Sequence, residues 1–178
     1  MSSGPLSISV SVHGEVETNK ACLRAGGRPG DFIYVSGPLG SAAACVRLND
    51  LVPADSHNLS PRQEAFYRPS ARFDMSKYLE TASAAIDISD GLVQDLSHIL
   101  ESSCCGASLE SKLIPLGDSA ELEDGLFGGD DYELIFTSSE NLESFHKIGR
   151  LTKELGIRVD GEAIMPVGFD HFPDGPEP

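Results

Sequence analysis

A short apolar segment that ends in three oxygen-bearing side chains constrains this chain more than any other feature. Residues 85–92 read AIDISDGL, which predicts a buried strand that turns directly into a helix. Alternation along the strand places Asp87 and Ser89 on one face, and Asp90 then lies at the turn. The unpaired N–H groups at the start of the following helix favour a bound phosphate. The sequence therefore predicts a metal-phosphate site at a strand–helix junction.

Helix capping is an alternative explanation for the same residues. Ser89 or Asp90 can cap the helix by accepting hydrogen bonds from its first N–H groups. The octapeptide alone does not separate capping from binding. A second acidic turn, GGDDYEL at residues 128–134, favours a functional site. Carboxylate oxygens together with substrate phosphates are the usual ligands of Mg²⁺.

Length and charge restrict the possible partners. The chain has 178 residues, which suits one domain, and a formal net charge of −15. This charge argues against nucleic acid and anionic membranes, since both require a basic face, although it also simply keeps a protein in solution. The sequence shows no leader, no zinc spacing among its four cysteines and no apolar run near the roughly 20 residues of a membrane span. We therefore expect a cytoplasmic location.

Hydrophobic periodicity predicts interleaved strands and helices. Residues 6–12 alternate between apolar and polar, as a half-buried strand does, but the chain offers no partner strand before them. A brief helix is predicted for residues 19–24, and apolar stripes predict helices over residues 92–100 and 142–155. Interleaved strands and helices indicate an α+β fold, an α/β sandwich in which helices cover a mixed sheet.

Five segments in order carry a resemblance to a known family. They are residues 4–10, 28–37, 85–92, 128–137 and the GFDHF sequence at 168–172. Together they resemble the thiamine-monophosphate kinase family, which belongs to the AIR-synthetase-like (PurM-like) ATP-binding superfamily. The resemblance runs from residue 4 to residue 172. It implies a PurM-like carboxyl-terminal domain.

The resemblance also implies a division of the chain. Residues 1–15 match the last strand of an amino-terminal ATP- and Mg²⁺-binding domain that is otherwise missing, and residues 16–172 match the carboxyl-terminal domain. Residues 173–178, rich in Pro, Gly and acidic residues, are expected to form a disordered tail. The implied partners are the missing domain or a complementary chain, and a second copy in a full-length homodimer.

The implied reaction is direct in-line transfer of the γ-phosphoryl group of ATP to thiamine monophosphate, which gives thiamine diphosphate. Such a transfer works by positioning and charge neutralisation, so the resemblance assigns no catalytic side chain. By position, Asp87 and Asp90 match Mg²⁺ ligands, and Arg24 and Ser89 match ATP contacts. Asp130, where the family usually carries Glu, and Phe169 match contacts to the thiamine substrate.

Two alternatives stay open from the sequence. The chain could be another ATP-dependent synthetase of the same superfamily, such as an aminoimidazole-ribonucleotide or selenophosphate synthetase, although GGDDYEL and GFDHF favour the kinase. It could also be a noncatalytic or split-enzyme subunit that retains the fold. The segment between Val159 and Gly168 is shorter than in the family, and the missing domain predicts a chain inactive by itself.

Overall fold

A seven-stranded mixed sheet forms the centre of the protein, as a computed structural model shows for residues 8–18, 20–52 and 57–166. The strands are β1 (Phe32–Val35), β2 (Ala84–Ile88), β3 (Gly106–Leu109), β4 (Glu133–Ser138), β5 (His146–Thr152), β6 (Gly156–Val159) and β7 (Glu162–Ile164). Their order across the sheet is β2-β4-β1-β5-β3-β6-β7, and β3 and β6 are parallel whereas the other neighbours are antiparallel. The predicted α+β class with a mixed sheet is confirmed.

Within the same described ranges, five α-helices and two short 3₁₀ turns connect these strands. The helices are α1 (Ser41–Arg47), α2 (Pro61–Tyr67), α3 (Ser76–Leu79), α4 (Leu92–Ser103) and α5 (Leu122–Phe127), and the 3₁₀ turns are Phe73–Met75 and Ser111–Leu113. Helix α2 begins with a capping box, in which Ser60 and Gln63 bond reciprocally. No helix in the described part of the chain has the length and apolar character needed to cross a membrane.

The larger of the two cores lies between α4 and the sheet. All five residues of the predicted stripe, Leu92, Val93, Leu96, Ile99 and Leu100, are buried there. Their spacing of three and four residues places them on one side of the helix, facing the apolar residues of the strands. This stripe fixes the direction of α4, so that its first turn lies beside the end of β2.

A smaller core on the opposite face of the sheet is aromatic. The rings of Tyr34 and Phe136 stack with centroids 5.3 Å apart, and Phe145 packs edge-on against Phe136. The Tyr34 hydroxyl donates to the carbonyl of Glu140 over 2.9 Å and accepts from the amide of Leu142 over 3.0 Å. The buried phenol is thereby satisfied, and it holds the connection between β4 and β5.

The predicted helix over residues 142–155 is wrong. Residues 146–152 form β5, which pairs with β1 and β3. Ile33 pairs with Gly149 but Tyr34 pairs with Lys147, so β5 contains one extra residue at this point. The extra residue lets Ile148 and Leu151 both face the larger core although they are three positions apart. The bulge in β5 therefore gave its buried apolar residues the three-residue spacing that is typical of a helix.

The amino-terminal segment also differs from expectation. Residues 20–24 contain no helix, and residues 8–12 form no paired strand. The apolar side chains of Ile8, Val10 and Val12 are 77%, 82% and 90% exposed. That this segment pairs with another domain or molecule stays a prediction.

Replacing Leu96 by Ala should lower the free energy of unfolding by about 3 kcal/mol, because a fully buried leucine leaves a cavity in the larger core. Urea unfolding followed by far-UV circular dichroism measures the loss. The matched control is Val12→Ala, at a side chain 90% exposed, which should change stability by less than about 0.5 kcal/mol. Equal losses in the two variants would contradict the assigned core.

Candidate functional site

The strand that carries Asp87 lies at one edge of the sheet. In β2, Ile86 and Ile88 are buried in the larger core, whereas the Asp87 side chain between them is exposed. Asp87 pairs in register with Leu134 and Ile88 pairs with Glu133. The end of β2 therefore lies beside the start of β4, directly after the GGDDY sequence.

Helix α4 is not capped as the sequence predicts. Its N-cap is Gly91, with no capping side chain, so capping by Ser89 or Asp90 is wrong. Asp95, in the first turn of the helix, instead accepts from the amides of Ser89 and Asp90 over 2.9 and 3.0 Å. Burial raises the pKa of Asp95 against the opposing effect of these two bonds. The Asp95 carboxylate thus holds the turn through its backbone amides, which leaves the side chains of Ser89 and Asp90 available.

Two backbone hydrogen bonds join the acidic turns. The amide of Asp130 donates to the carbonyl of Ser89 over 2.9 Å, and the amide of Tyr132 donates to the carbonyl of Ile88 over 2.8 Å. A Cβ atom on Gly129 would lie 2.5 Å from the Ser89 carbonyl oxygen. Only glycine allows the two loops to approach this closely. The structure thus brings Asp87, Ser89, Asp90 and Asp130 into one region.

The GGDDY loop is conformationally strained. Asp130 and Tyr132 adopt left-handed backbone conformations, with φ of 66° and 51°. The Tyr132 hydroxyl donates to Oδ1 of Asp130 over 3.2 Å. Burial, followed by the charge of Asp130, raises the pKa of Tyr132, and the charges of Asp87 and Asp90 add to this shift. Three carboxylates therefore act on one phenol.

The donor set of this region fits a partly coordinated Mg²⁺. The carboxylates of Asp87 and Asp90 make no hydrogen bond or ion pair within the described residues, unlike that of Asp95. No group of three or more His, Cys, Asp or Glu side chains that could hold a metal occurs in the part of the chain described here. The pair therefore suits an ion that takes its other ligands from phosphates and water, as Mg²⁺ does.

The two remaining predicted site residues, Arg24 and Phe169, are not joined to the acidic turns by any hydrogen bond or ion pair in the described residues. Arg24 is exposed beside the edge of β2, one residue after Leu23, whose carbonyl accepts from the Ala85 amide over 2.9 Å. Phe169 lies outside the described residues. The last described residue, Pro166, follows β7, and β7 is at the opposite edge of the sheet from β2.

Two further acidic residues, Asp131 in the GGDDY loop and Glu133 at the start of β4, were not among the predicted site residues. Both oxygens of Asp131 accept from the Gly40 amide over 2.9 Å. Burial raises the pKa of Asp131 to about 7. Glu133 accepts from Ser36 and from Arg72, and Oγ of Ser36 accepts from the Leu134 amide over 2.8 Å. These acids anchor the loop to the body of the domain.

Known proteins resemble the chain over most of its length. The thiamine-monophosphate kinase of Escherichia coli (strain K12) is 36% identical to this chain over an alignment of 198 residues. The alignment covers 95% of this chain and 61% of that protein. The thiamine-monophosphate kinase of Stenotrophomonas maltophilia K279a superposes with a TM-score of 0.75 at 30% identity, over 84% of this chain and 56% of that one. This chain is a homologue of the thiamine-monophosphate kinases.

The solved structure of AaThiL complexed with AMPPCP and TMP is also similar to this chain. It has a TM-score of 0.74 and 33% identity, over 84% of this chain and 53% of that chain. No family model matches the sequence. The chain spans about 60% of the length of the Escherichia coli kinase.

Replacing Asp131 by Asn should flatten the dependence of stability on pH. The folded carboxyl has a pKa of about 7 and the unfolded one about 3.9, so the folded state binds an extra proton between these values. The wild-type chain should therefore lose up to about 1.4 kcal/mol of unfolding free energy per pH unit as pH rises through this window. Asn retains an oxygen acceptor for Gly40 but does not titrate.

Urea unfolding of both proteins at pH 5, 6, 7 and 8 provides the measurement. Asp95 has a pKa raised in the same direction and is present in both proteins, so the difference between the two profiles isolates Asp131. Parallel profiles would show that Asp131 titrates normally.

Proposed function

We propose that this chain is the carboxyl-terminal part of a thiamine-monophosphate kinase, which transfers the γ-phosphoryl group of ATP to thiamine monophosphate. The observation that carries the proposal is the backbone junction between the two acidic turns. It holds Asp87 and Asp90 beside Asp130 through the bond from the Asp130 amide to the Ser89 carbonyl. Homology to the thiamine-monophosphate kinases supports the same reaction.

Asp87 and Asp90 are proposed to hold Mg²⁺ on the phosphates of ATP. The bound ion would neutralise charge on the transferring phosphoryl group. Ser89 lies between these two acids in the chain, and the exposed Arg24 follows Leu23, which bonds to the outer edge of β2. Both side chains have donors that suit phosphate oxygens. The chain's own contribution is positioning, and no side chain acts as a nucleophile.

Asp130 is proposed to contact the thiamine substrate. Its carboxylate is held near the metal acids by the left-handed backbone and by the Tyr132 hydroxyl. Because Asp is shorter than the Glu usual in the family, the substrate would have to approach the loop more closely. Phe169 as a second substrate contact stays a prediction.

Completion of the site by other protein groups is part of this proposal. A further domain, in the same polypeptide or a complementary chain, would supply more metal ligands and a partner for residues 8–12. The exposed apolar residues of that segment support such pairing. A homodimer of the full-length enzyme and a cytoplasmic location belong to the same proposal.

Replacing Asp87 or Asp90 by Asn should weaken metal-nucleotide binding. We expect each variant to bind Mn²⁺–ATP at least roughly tenfold more weakly, because losing a metal ligand costs at least as much as losing its supporting group. Paramagnetic broadening of the Gly91 and Leu92 amide signals in NMR spectra, on titration with Mn²⁺ and ATP, measures binding without catalysis.

The matched control for this titration is Glu143→Gln, which removes one exposed carboxylate from the connection between β4 and β5. This variant should bind as the wild-type chain does. Unchanged binding in both Asn variants would leave Asp87 and Asp90 without a metal role.

The isolated chain should form no thiamine diphosphate from ATP, Mg²⁺ and thiamine monophosphate. Two unpaired carboxylates leave much of the charge of a bound triphosphate uncompensated. A chimera that joins the amino-terminal domain of the Escherichia coli kinase to this chain should restore the reaction, which chromatography of thiamine diphosphate detects. Its Asp87→Asn form should be inactive and its Glu143→Gln form active. Turnover by the isolated chain, or an inactive chimera that binds ATP, would contradict the proposal.

A further inference from the structure

The bulge in β5 turns two cations toward the same face of the sheet. In a regular strand, side chains three positions apart point to opposite faces. The extra residue in β5 brings Ile148 and Leu151 together in the larger core. It equally brings Lys147 and Arg150 together on the opposite face, where both contact the ring of Phe32. Bulges commonly redirect side chains in this way next to functional sites.

The two cations are held against that one ring. Nζ of Lys147 lies 4.6 Å, and Cζ of Arg150 lies 3.9 Å, from the ring centroid of Phe32. Neutral groups fix their positions. Lys147 donates to Oδ1 of Asn141 over 3.0 Å, and Arg150 donates to the Gly30 carbonyl over 3.2 Å. Because both distances start from one centroid, the two charges are at most about 8.5 Å apart. Like charges this close favour an anion between them.

Both cations line a pocket of about 440 Å³ that is formed largely by β1, β5 and β3. Arg150 pairs in register with Phe32 on one side and with Ser108 on the other. A ring, a guanidinium and a hydroxyl therefore follow one another across three strands. Gly149 also lines the pocket, and a Cβ atom there would lie 2.2 Å from the Ser108 carbonyl oxygen. The volume is typical of a site for a small molecule.

No carboxylate of the described chain neutralises the two cations. Neither Lys147 nor Arg150 forms an ion pair with a described residue, although the whole sequence has 28 acidic and 13 basic residues. One acid, Glu110, lines the same pocket, but it binds Lys112 over 3.1 Å. Each cation donates to one neutral acceptor and retains further N–H groups. These donors are available to a ligand.

We propose that this pocket binds a small molecule through its phosphate group, which Arg150 and Lys147 hold together. The planar fork of arginine matches two phosphate oxygens, and lysine adds a compact charge. The hydroxyl of Ser108 is a further donor. Two cations balance the charge of about −1.5 to −2 that a phosphate monoester carries at pH 7. Phe32 and Leu113 offer apolar surface to the rest of the ligand.

The pocket is remote from the acidic turns. Arg150 is in β5, which is three strand spacings, or about 14 Å, from the β2 strand that carries Asp87. On β4, Ser138 is the partner of Phe32. Leu134 is the partner of Asp87, four residues or about 13 Å away along β4. A phosphate in the pocket therefore does not reach the proposed metal acids, and the two sites can be tested separately.

Titration of the chain with inorganic phosphate tests the pocket. EDTA removes divalent metals, and sodium chloride keeps the ionic strength constant. The amide signals of Gly149 and Arg150 in NMR spectra should shift to saturation, whereas that of Gly129 in the GGDDY loop should not. Shifts no larger than those caused by sodium chloride alone, or shifts confined to Gly129, would overturn the proposal. Saturation by succinate and not by phosphate would overturn it in favour of a dicarboxylate.

Removal of single charges identifies the groups that bind. Arg150→Gln and Lys147→Gln should each weaken phosphate binding about tenfold, because a hydrogen bond between charged groups is lost. Arg150→Lys keeps the charge without the fork, so its affinity should be intermediate, and it replaces the Gln variant if that variant does not fold. The matched control Lys77→Gln removes a cation 4.7 Å from the ring of Tyr78 and should bind as the wild-type chain does. Unchanged binding in the Arg150 and Lys147 variants, or an equal loss in the control, would overturn the proposal.

Discussion

The close contact between the β2–α4 turn and the GGDDY loop is the constraint on which the arrangement of the site depends. Besides Gly129, Gly128 has no room for a side chain, since its Cβ would lie 2.3 Å from the Asp124 carbonyl oxygen and 2.4 Å from the Ala43 Cβ. The loop is therefore packed against α5, α1 and the start of α4 at once. Three helices and two strand ends converge there because glycine lets their backbones touch.

Some of the carboxylates in this region are neutralised by ion pairs and others are not. Arg47 binds Asp124 over 2.7 Å and lowers the pKa of that carboxyl, and Arg72 binds Glu133. Burial raises the pKa of Asp95, and it raises the pKa of Asp131 to about 7, so partial protonation of Asp131 near neutral pH reduces the charge there. Asp87, Asp90 and Asp130 receive no cation from the described part of the chain. Three carboxylates without a cationic partner in one region of the described chain are suited to an external cation.

Sequence patterns predicted the parts of the structure that depend on local regularity. The stripe of α4 was read correctly because an amphipathic helix keeps one period, and the two acidic turns were identified by their own residues. The strand β5 was missed because its bulge changes the period of alternation. The role of Asp95 was missed because the residue that holds the turn lies inside the helix. Arg72 pairs with Glu133 across 61 positions, so no local pattern indicates it.

Location on an edge strand determines how the candidate site can be completed. On its inner side β2 is paired with β4, and the GGDDY loop follows the same side. On its outer side the Ala85 amide donates to the Leu23 carbonyl, and no further strand pairs with β2 within the described residues. Asp87 is therefore covered from one direction and open from the other. The proposed nucleotide and second domain would approach from the open side, away from the larger core. This asymmetry agrees with the proposed site shared between two domains, because a metal held by Asp87 and Asp90 as proposed would have to find its remaining ligands on that side.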